Sequence, residues 1–308
     1  MGSTEEERDL GFGSIVSRQG GRLLNRDGTF NARRAGLGLE AFAPYHLALT
    51  MSWPAFLGGL TLWYVVLNAM FAGAYLLCGK GALIEHASGM ASGTFLEAFF
   101  FSVQSFATIG YGDIIAVGSA ANAVVAAESL VSILSVALAT GIIFARFSRP
   151  RAQLRFSRRA IVAPYRGITA LEFRIVNERR SEMVEVEAKV IFTYVDSTSG
   201  TAVRQYETLA LERQRVVFFP LTWTVVHPID ADSPLRGATS EHLAAVKAEF
   251  LVIVSGTDEA VSQTVHARTS YRYDEVAWNA RFTSAFLEPG RDGTIRVDVR
   301  RLSDLERV

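Results

Sequence analysis

Cysteine is nearly absent from this sequence of 308 residues, which holds a single one, Cys78. One thiol excludes an intramolecular disulfide framework and a zinc site built from several cysteines, and it suits soluble parts that face a reducing cytosol. An excess of one charge is also lacking, because 31 Lys and Arg residues balance 31 Asp and Glu residues. We therefore expect no nucleic-acid partner.

An apolar leader is missing as well, since the chain opens with the polar stretch MGSTEEERDL and no apolar core follows it. A secretory signal peptide is therefore not expected. The chain also has no H-E-x-x-H, no G-x-x-x-x-G-K and no local nucleophile motif. These absences predict that the protein is not an enzyme.

Long hydrophobic runs are abundant, in keeping with a hydrophobic content of 49%. Residues 54–78 carry no charged side chain, and residues 114–145 carry only Glu128. Each run can cross a hydrocarbon core of roughly 30 Å as a helix. We predict a pore domain over 54–147, with an outer helix at 54–78 and an inner helix at 114–147.

A third apolar segment, residues 94–107, is too short to cross and is followed by the stretch TIGYGD at 108–113. Non-helical backbone at membrane depth is tolerated only where protein buries it or where it lines a water-filled path. We therefore predict that 94–107 is a re-entrant pore helix and that 108–113 lines a pore. An ordinary tight turn is the alternative interpretation of TIGYGD.

The two glycines of this stretch suggest which ion passes. A potassium ion must exchange its water for oxygens, and backbone carbonyls can supply them if glycine at left-handed dihedrals keeps successive carbonyls pointing inward. One chain provides one loop, so the ring of oxygens needs an oligomer, by symmetry a homotetramer. The predicted filter is Thr108, Ile109, Gly110, Tyr111 and Gly112, with K⁺ bound by the carbonyls of the first four and the Thr108 hydroxyl.

The remaining segments read as soluble or interfacial. Residues 1–40 form an N-terminal segment, and 41–53 predict a short helix along the inner leaflet, started by Pro44. Beyond the inner helix, 148–308 show short runs of period two that predict a mostly antiparallel β-sandwich, with one helix from Ser240. Basic residues flank the two spans on one side, which predicts cytoplasmic termini.

Several stretches are similar to one family. TIGYGD resembles the selectivity filter of potassium channels and FLEAFFFSVQSFA resembles their pore helix, while FARFSRPRA, HPIDADSPL and ARTSYRYDEVAWNARF resemble inward rectifiers, especially prokaryotic KirBac-type members. The resemblance covers nearly everything from Leu24 onward. It implies a homotetramer in the bacterial inner membrane, with two transmembrane helices, a re-entrant pore helix and a cytoplasmic immunoglobulin-like β-sandwich. K⁺ would be the permeant ion, without an organic cofactor.

The inner helix is expected to hold the cavity and the gate. Ser132, Val136, Thr140 and Phe144 are four apart and share one slowly turning face. The resemblance implies a helix-bundle gate at Phe144, a cavity site for blocking polyamines at Val136, and a cytoplasmic-loop gate at Ser255, Gly256 and Thr257. Val136 and Ser255 are uncharged where strong rectifiers have acids, which predicts weak block by polyamines. Divalent cations are the other candidate pore blockers. Packing against lipid is the alternative for this face.

Charged residues near the membrane have two interpretations each. The resemblance aligns Arg146, Arg149 and Arg151 with residues that contact phosphoinositides, although these arginines also act as plain topology signals. Glu128 either makes a buried hydrogen bond to the pore helix or faces the cavity as an ion site. Gln104 replaces a glutamate that many relatives carry behind the filter, so Asp113 needs another partner.

Two other functions remain open on the sequence alone. A potassium-uptake transporter subunit would carry four pore loops in one chain, and only one is present here. A membrane-anchored β-sandwich could instead bind a partner and retain only a vestigial pore. Flux through reconstituted protein would separate that possibility from an inward-rectifier channel gated by its cytoplasmic domain and by anionic lipid.

Overall fold

The computed structural model describes residues 21–32, 43–85, 94–148, 153–178, 182–197, 202–219 and 221–307. They form two compact units, a helical one within residues 36–149 and a strand-rich one from the chain on either side of it. The predicted fold class is confirmed: two membrane-length helices and a short helix between them accompany a C-terminal β-sandwich.

The described part of the helical unit contains four helices. They are α1 (Pro44–Thr50), α2 (Trp53–Leu77), α3 (Phe95–Phe106) and α4 (Ser119–Phe147). α2 and α4, with 25 and 29 residues, are long and apolar enough to cross a membrane. A proline lies in the first turn of both α1 and α2, where its missing N–H has no helical partner to lose.

The prediction that the inner helix starts at residue 114 is wrong. Ile114–Ala116 is a strand, β2, which pairs antiparallel with β1 (Leu83–Glu85). α4 begins only after Gly118, whose φ of 88° is outside the helical region. The interfacial helix is also shorter than predicted, because Met51 and Ser52 are extended and Trp53 already belongs to α2.

An apolar cluster holds α3 against α2 and the β1–β2 pair. It is built from Ala72, Tyr75, Leu83, Ala98 and Phe101, all of which are buried. The rings of Tyr75 and Phe101 meet edge to face at 5.0 Å, a favourable aromatic geometry. α3, the predicted pore helix, is therefore held in place by contacts within its own chain.

The strand-rich unit is a sandwich of two five-stranded sheets. Its main strands are β3 (Leu154–Phe156), β4 (Ala160–Tyr165), β5 (Ile168–Asn177), β6 (Met183–Asp196), β7 (Val203–Leu209), β8 (Arg215–Phe219), β9 (Thr222–Ile229), β10 (Glu249–Asp258), β11 (Gln263–Arg272) and β12 (Val276–Trp278). One sheet has the order β11–β10–β6–β7 with β8 on β6, and the other has β12–β4–β5–β3 with β9 on β5. All pairs are antiparallel except β12–β4, as a mostly antiparallel sandwich requires.

Two apolar-rich runs of the sequence in this unit do not each form a single strand of the two sheets. The run VVFFPLTWTVV, residues 216–226, is split between β8 and β9, which belong to different sheets. The run TIRVDV, residues 294–299, contains only a two-residue strand, Arg296–Val297, and a 3₁₀-helix over Val299–Ser303 follows. The predicted helix is present as α5 (Ser240–Ala245), with the Thr239 hydroxyl accepting from the N–H of His242 as its cap.

Strand β6 alternates as predicted only over part of its length. Val186, Ala188 and Val190 are buried between exposed neighbours, but Ile191 is also buried. Its cover comes from Leu23 and Leu24 in the N-terminal segment, which pack on it. Both N–H groups of these leucines donate to the carboxylate of Glu249, at 2.9 and 3.2 Å.

The segment HPIDADSPL contains a buried histidine that ties β9 to two loops. His227 bonds through Nδ1 to the Ala210 carbonyl at 2.6 Å and through Nε2 to the Ser233 hydroxyl at 2.7 Å. Burial lowers the pKa of His227, so the ring is neutral at physiological pH.

Candidate pore, gate and lipid sites

The pore helix starts and ends sharply. At its N-terminus the Thr94 hydroxyl accepts from the N–H of Glu97 at 3.3 Å while the Glu97 carboxylate accepts from the N–H of Thr94 at 3.0 Å. At its C-terminus the N–H of Ile109 bonds to the Gln104 carbonyl at 2.8 Å as the chain leaves the helix. The negative end of the α3 dipole therefore lies where the predicted filter begins, which favours a cation there.

Left-handed residues alternate along the predicted filter. Thr108, Gly110 and Gly112 have φ values of 57°, 61° and 82°, whereas Ile109 and Tyr111 are not left-handed. The left-handed conformation expected of the two glycines is thus present. Thr108 is a third left-handed residue, which the sequence did not indicate. Such alternation turns successive carbonyls to the same side of the chain.

The backbone after the filter is tied down at its far end. β2 pairs with β1, and the N–H of Val117 donates to the Ala82 carbonyl at 2.8 Å. Leu83 of β1 is buried in the cluster behind α3. Residues 108–113, the predicted filter, are therefore anchored by α3 on one side and by this strand pair on the other.

Behind the filter, the two interpretations of Glu128 can now be separated. Its carboxylate is fully buried and contacts the hydroxyls of Ser102 on α3 and Tyr75 on α2. Glu128 is therefore a buried partner of the pore helix and not a cavity-facing acid. Asp113, by contrast, makes no hydrogen bond or ion pair with any residue that the structure describes.

The four residues predicted for cavity and gate do not have equal surroundings. Val136, Thr140 and Phe144 are exposed, with 72% of Phe144 accessible in the single chain. Ser132 is buried, and its hydroxyl donates to the Phe106 carbonyl at the end of α3, at 2.5 Å. Ser132 thus fastens the inner helix to the pore helix, while the other three are free to face an axis.

Arg146, expected at a lipid site, is already engaged by its own unit. Its guanidinium donates to the carbonyls of Ala48 and Met51 at the end of α1, the latter at 2.8 Å. It also stacks on the rings of Trp53 and Phe56, 4.5 and 4.6 Å from their centroids. Arg146 therefore joins α1 and α2 to the end of α4. Arg149 and Arg151 lie outside the described residues.

The expectation of a loop at Ser255, Gly256 and Thr257 is wrong. These residues lie within β10, which is paired with β11 on one side and with β6 on the other. The register against β6 shifts between Ser255 and Thr257, and the turn comes only after Asp258. A gating role for this hairpin stays a prediction.

Gly256→Ala should destabilise the sandwich by about 1–3 kcal/mol, the usual effect of overfilling a packed core. A β-carbon at this position would lie 2.8 Å from Cγ2 of Val186 and 3.0 Å from Cε of Met183. Urea unfolding of the full-length protein, followed by tryptophan fluorescence, measures the change. Ser255→Ala, one residue away and half-buried, serves as the control. If both variants keep the urea midpoint of the parent, the strand shifts to make room for the added methyl group and the predicted destabilisation is absent.

Known families match both units. A model described as ion channel matches residues 59–149, and a model of the inward rectifier potassium channel C-terminal domain matches residues 154–308. The chain is also 42% identical over 287 residues to the inward rectifier potassium channel Kirbac3.1 of Paramagnetospirillum magnetotacticum, across 92% of this chain and 93% of that protein. The chain belongs to the prokaryotic, KirBac-type branch of the inward rectifier potassium channel family.

Animal inward rectifiers are more distant from this KirBac-type channel. Inward rectifier potassium channel 4 of Homo sapiens is 34% identical over 222 residues, which are 67% of this chain and 47% of that protein. ATP-sensitive inward rectifier potassium channel 12 of Gallus gallus is 31% identical over 261 residues, or 79% and 58% of the two chains. The channel thus spans about half the length of these animal relatives. Its relatives are ion channels, so it is not an enzyme, and K⁺ is its permeant ion.

Sequence reasoning missed three contacts of this channel. They are the β1–β2 pair, the hydrogen bond from Ser132 to the end of α3, and the joint that Arg146 makes with α1. Each one joins short or irregular segments, so no periodic pattern marks it. The one usable signal in the sequence is that Arg146 ends one apolar run while Trp53 and Phe56 begin the other, since arginine and aromatic rings attract each other.

Proposed function

We propose that four copies of this channel surround one axis and conduct K⁺ through stacked oxygen rings from residues 108–111. The alternating left-handed residues at the end of a re-entrant helix carry this proposal. In one chain the filter is exposed, and nothing lies within 4 Å of a β-carbon placed on Gly110 or Gly112. A loop with so little cover from its own chain is suited to contact neighbouring copies.

The same proposal places the channel in the bacterial inner membrane with both termini in the cytoplasm. Arg33 and Arg34 precede α2, and Arg146, Arg149 and Arg151 lie at or beyond the end of α4. Residues 79–93 hold a single Lys or Arg side chain, Lys80. This asymmetry supports the orientation, because basic loops stay on the cytoplasmic side.

The gate in this proposal is the ring of four Phe144 side chains. Lipid binding would bias it through the chain that follows, where Arg149 and Arg151 are the headgroup candidates and Arg146 links the interfacial helix to the gate. An anionic headgroup is the natural partner of two arginines that follow a membrane-spanning helix directly in the sequence. The cytoplasmic sandwich begins directly after these arginines and is therefore coupled to the same event.

Flux measurements test the proposed function. Purified protein in liposomes of defined composition, with and without phosphoinositide, should carry K⁺ strongly in preference to Na⁺. Native mass spectrometry of the same preparation should give four copies per particle. Absence of K⁺-selective flux in every lipid mixture would refute the pore assignment, and a particle of two or three copies would refute the symmetric ring.

Val136→Asp should strengthen block by spermine applied from the cytoplasmic side. Val136 is 57% exposed and lines an apolar groove of about 340 Å³ beside Phe106, at the end of the pore helix. Four carboxylates around one cavity would attract a polycation that four valines do not. Dose–response curves for spermine on K⁺ flux measure the difference between parent and variant.

Val136→Asn is the control for this change, because asparagine has the same size as aspartate but carries no charge. We expect block of the asparagine variant to stay weak, like that of the parent. Equal block in the aspartate and asparagine variants would show that Val136 faces lipid or a neighbouring helix and not the pore.

Arg149→Gln combined with Arg151→Gln should greatly reduce the flux response to phosphoinositide, whichever direction that response has. Each basic residue near an anionic surface contributes on the order of 1 kcal/mol, so two per subunit exceed the few kcal/mol that separate gate states. The measurement is K⁺ flux as phosphoinositide in the liposomes is increased.

A matched double variant removes the same charge elsewhere. Arg213→Gln with Arg291→Gln changes two exposed arginines of the cytoplasmic sandwich and should leave the lipid response intact. If the Arg149 and Arg151 variant also responds like the parent, these arginines are topology signals only.

A further inference from the structure

A buried chain of polar side chains connects the pore helix α3 to α2 and α4. Its members are Tyr75 and Asn68 on α2, Ser102 on α3 and Glu128 on α4, each at most 1% exposed. Tyr75 donates its hydroxyl hydrogen to Oε2 of Glu128. The Ser102 hydroxyl oxygen lies 2.5 Å from Oε1 of Glu128 and 3.0 Å from Oδ1 of Asn68.

The number of hydrogens in this chain is limited. A serine hydroxyl has one hydrogen, yet the Ser102 oxygen is within hydrogen-bond distance of two oxygens. Asn68 cannot be turned to help, because its Nδ2 donates to the Tyr64 carbonyl at 2.8 Å and a flip would set two oxygens against each other. If Glu128 were ionised, one of the two close oxygen pairs would have no hydrogen between its members.

One arrangement satisfies every contact. Glu128 keeps its proton on Oε1 and donates it to Ser102, Ser102 donates to Asn68, and Tyr75 donates to Oε2. Tyr75 is the only titratable side chain among the described residues in contact with Glu128, and no cation contacts it. An ionised carboxylate would therefore be buried without a partner charge, at a cost of several kcal/mol.

We propose that Glu128 is held as a neutral carboxylic acid and acts as a positioning residue that fixes the pore helix to both membrane-spanning helices. The chain grips the middle of α3 at Ser102, while the bond from Ser132 to the Phe106 carbonyl holds its end. The filter starts two residues beyond Phe106. This inference rests on the proposed filter, because it assigns Glu128 a role in holding that filter in register.

Glu128→Gln is the decisive variant, since its amide reproduces the neutral acid. The amide oxygen accepts from Tyr75 and the amide nitrogen donates to Ser102, so the ratio of K⁺ to Na⁺ flux should stay at the parent value. Ser102→Ala with Tyr75→Phe removes both bonds to the acid in every subunit and should lower that ratio at least ten-fold, because the loss of a single buried hydrogen bond already accounts for about that factor. A glutamine variant that assembles but loses selectivity would overturn the proposal.

Infrared difference spectra report the protonation state of Glu128 independently of any flux measurement. The spectrum of the parent minus that of Glu128→Gln at neutral pH should contain the carbonyl stretch of a protonated carboxylic acid. Carboxylate bands in its place would overturn the proposal even if the channel conducts. If instead the acid band is present and the parent shows no K⁺ selectivity, the neutral acid stands and the proposed pore function fails. Should the double variant not fold, the infrared comparison and Glu128→Gln still decide the question.

Discussion

Replacing Gly110 with alanine should abolish potassium-selective flux while the protein still reaches the membrane. The φ of Gly110 is 61°, and a side chain in this region costs roughly 1–2 kcal/mol per residue, once in each of four subunits. Nothing in the chain lies within 4 Å of the added β-carbon, so the effect comes from the backbone and not from a clash within the chain. The strained residue relaxes by rotating a carbonyl away from the axis. K⁺ and Na⁺ flux through liposomes measures the loss.

The control for this experiment is Gly58→Ala in the outer helix. Gly58 is exposed, has no neighbouring atom within 4 Å of its β-carbon position and is not left-handed. We expect its flux to match the parent. An unchanged preference for K⁺ over Na⁺ in Gly110→Ala would remove the basis for the filter at residues 108–112.

Phe144→Ala should raise basal potassium flux several-fold in the absence of phosphoinositide. Phe144 is 72% exposed near the end of α4, in a position where four rings could exclude water from the axis. Alanine leaves a wider, less apolar opening that stays wet. The same substitution should blunt the lipid response, because a gate that no longer closes has little left to regulate. Fluxes at several phosphoinositide contents measure both effects.

Leu138→Ala is the matched control on the same helix. Leu138 is 65% exposed, and six residues along a helix place it about 120° from Phe144. It lines an apolar groove with Trp63 of the outer helix and should leave basal flux unchanged. If both variants raise flux equally, loss of helix packing and not loss of a ring gate explains the result.

The regular elements could be predicted because their patterns are long. The sequence runs that form α2 and α4 contain no charged residue over 25 or more positions apart from Glu128. In β6, buried and exposed side chains alternate over several positions. The left-handed conformation of Gly110 and Gly112 could be predicted because glycine adopts it without steric cost. In both cases the signal lies within one continuous stretch of chain.

The remaining features depend on which distant segments meet. Strands β1 and β2 have three residues each, too few to show a period, and they pair across an intervening helix. The extra burial of Ile191 depends on Leu23, far away in the sequence. The partners of Glu128 follow from how three helices pack, which no spacing along one helix reveals. For the same reason the sequence did not show that Gly256 belongs to a strand, where it pairs with Val265 of β11 at the point where the register against β6 shifts.

The left-handed conformation of Thr108 links the filter to the concentration of its own ion. Threonine is β-branched, and holding such a residue at a φ of 57° costs on the order of 1–3 kcal/mol in each subunit. A ligand that binds only the strained arrangement stabilises it by mass action. The stabilisation is roughly 2.7 kcal/mol when the free ligand concentration is a hundred times its dissociation constant. If Thr108 lines the filter as proposed, potassium is a structural component as well as the permeant ion: in an ion-poor solution the threonine ring should relax, and the conducting shape of the pore should depend on the supply of what it conducts.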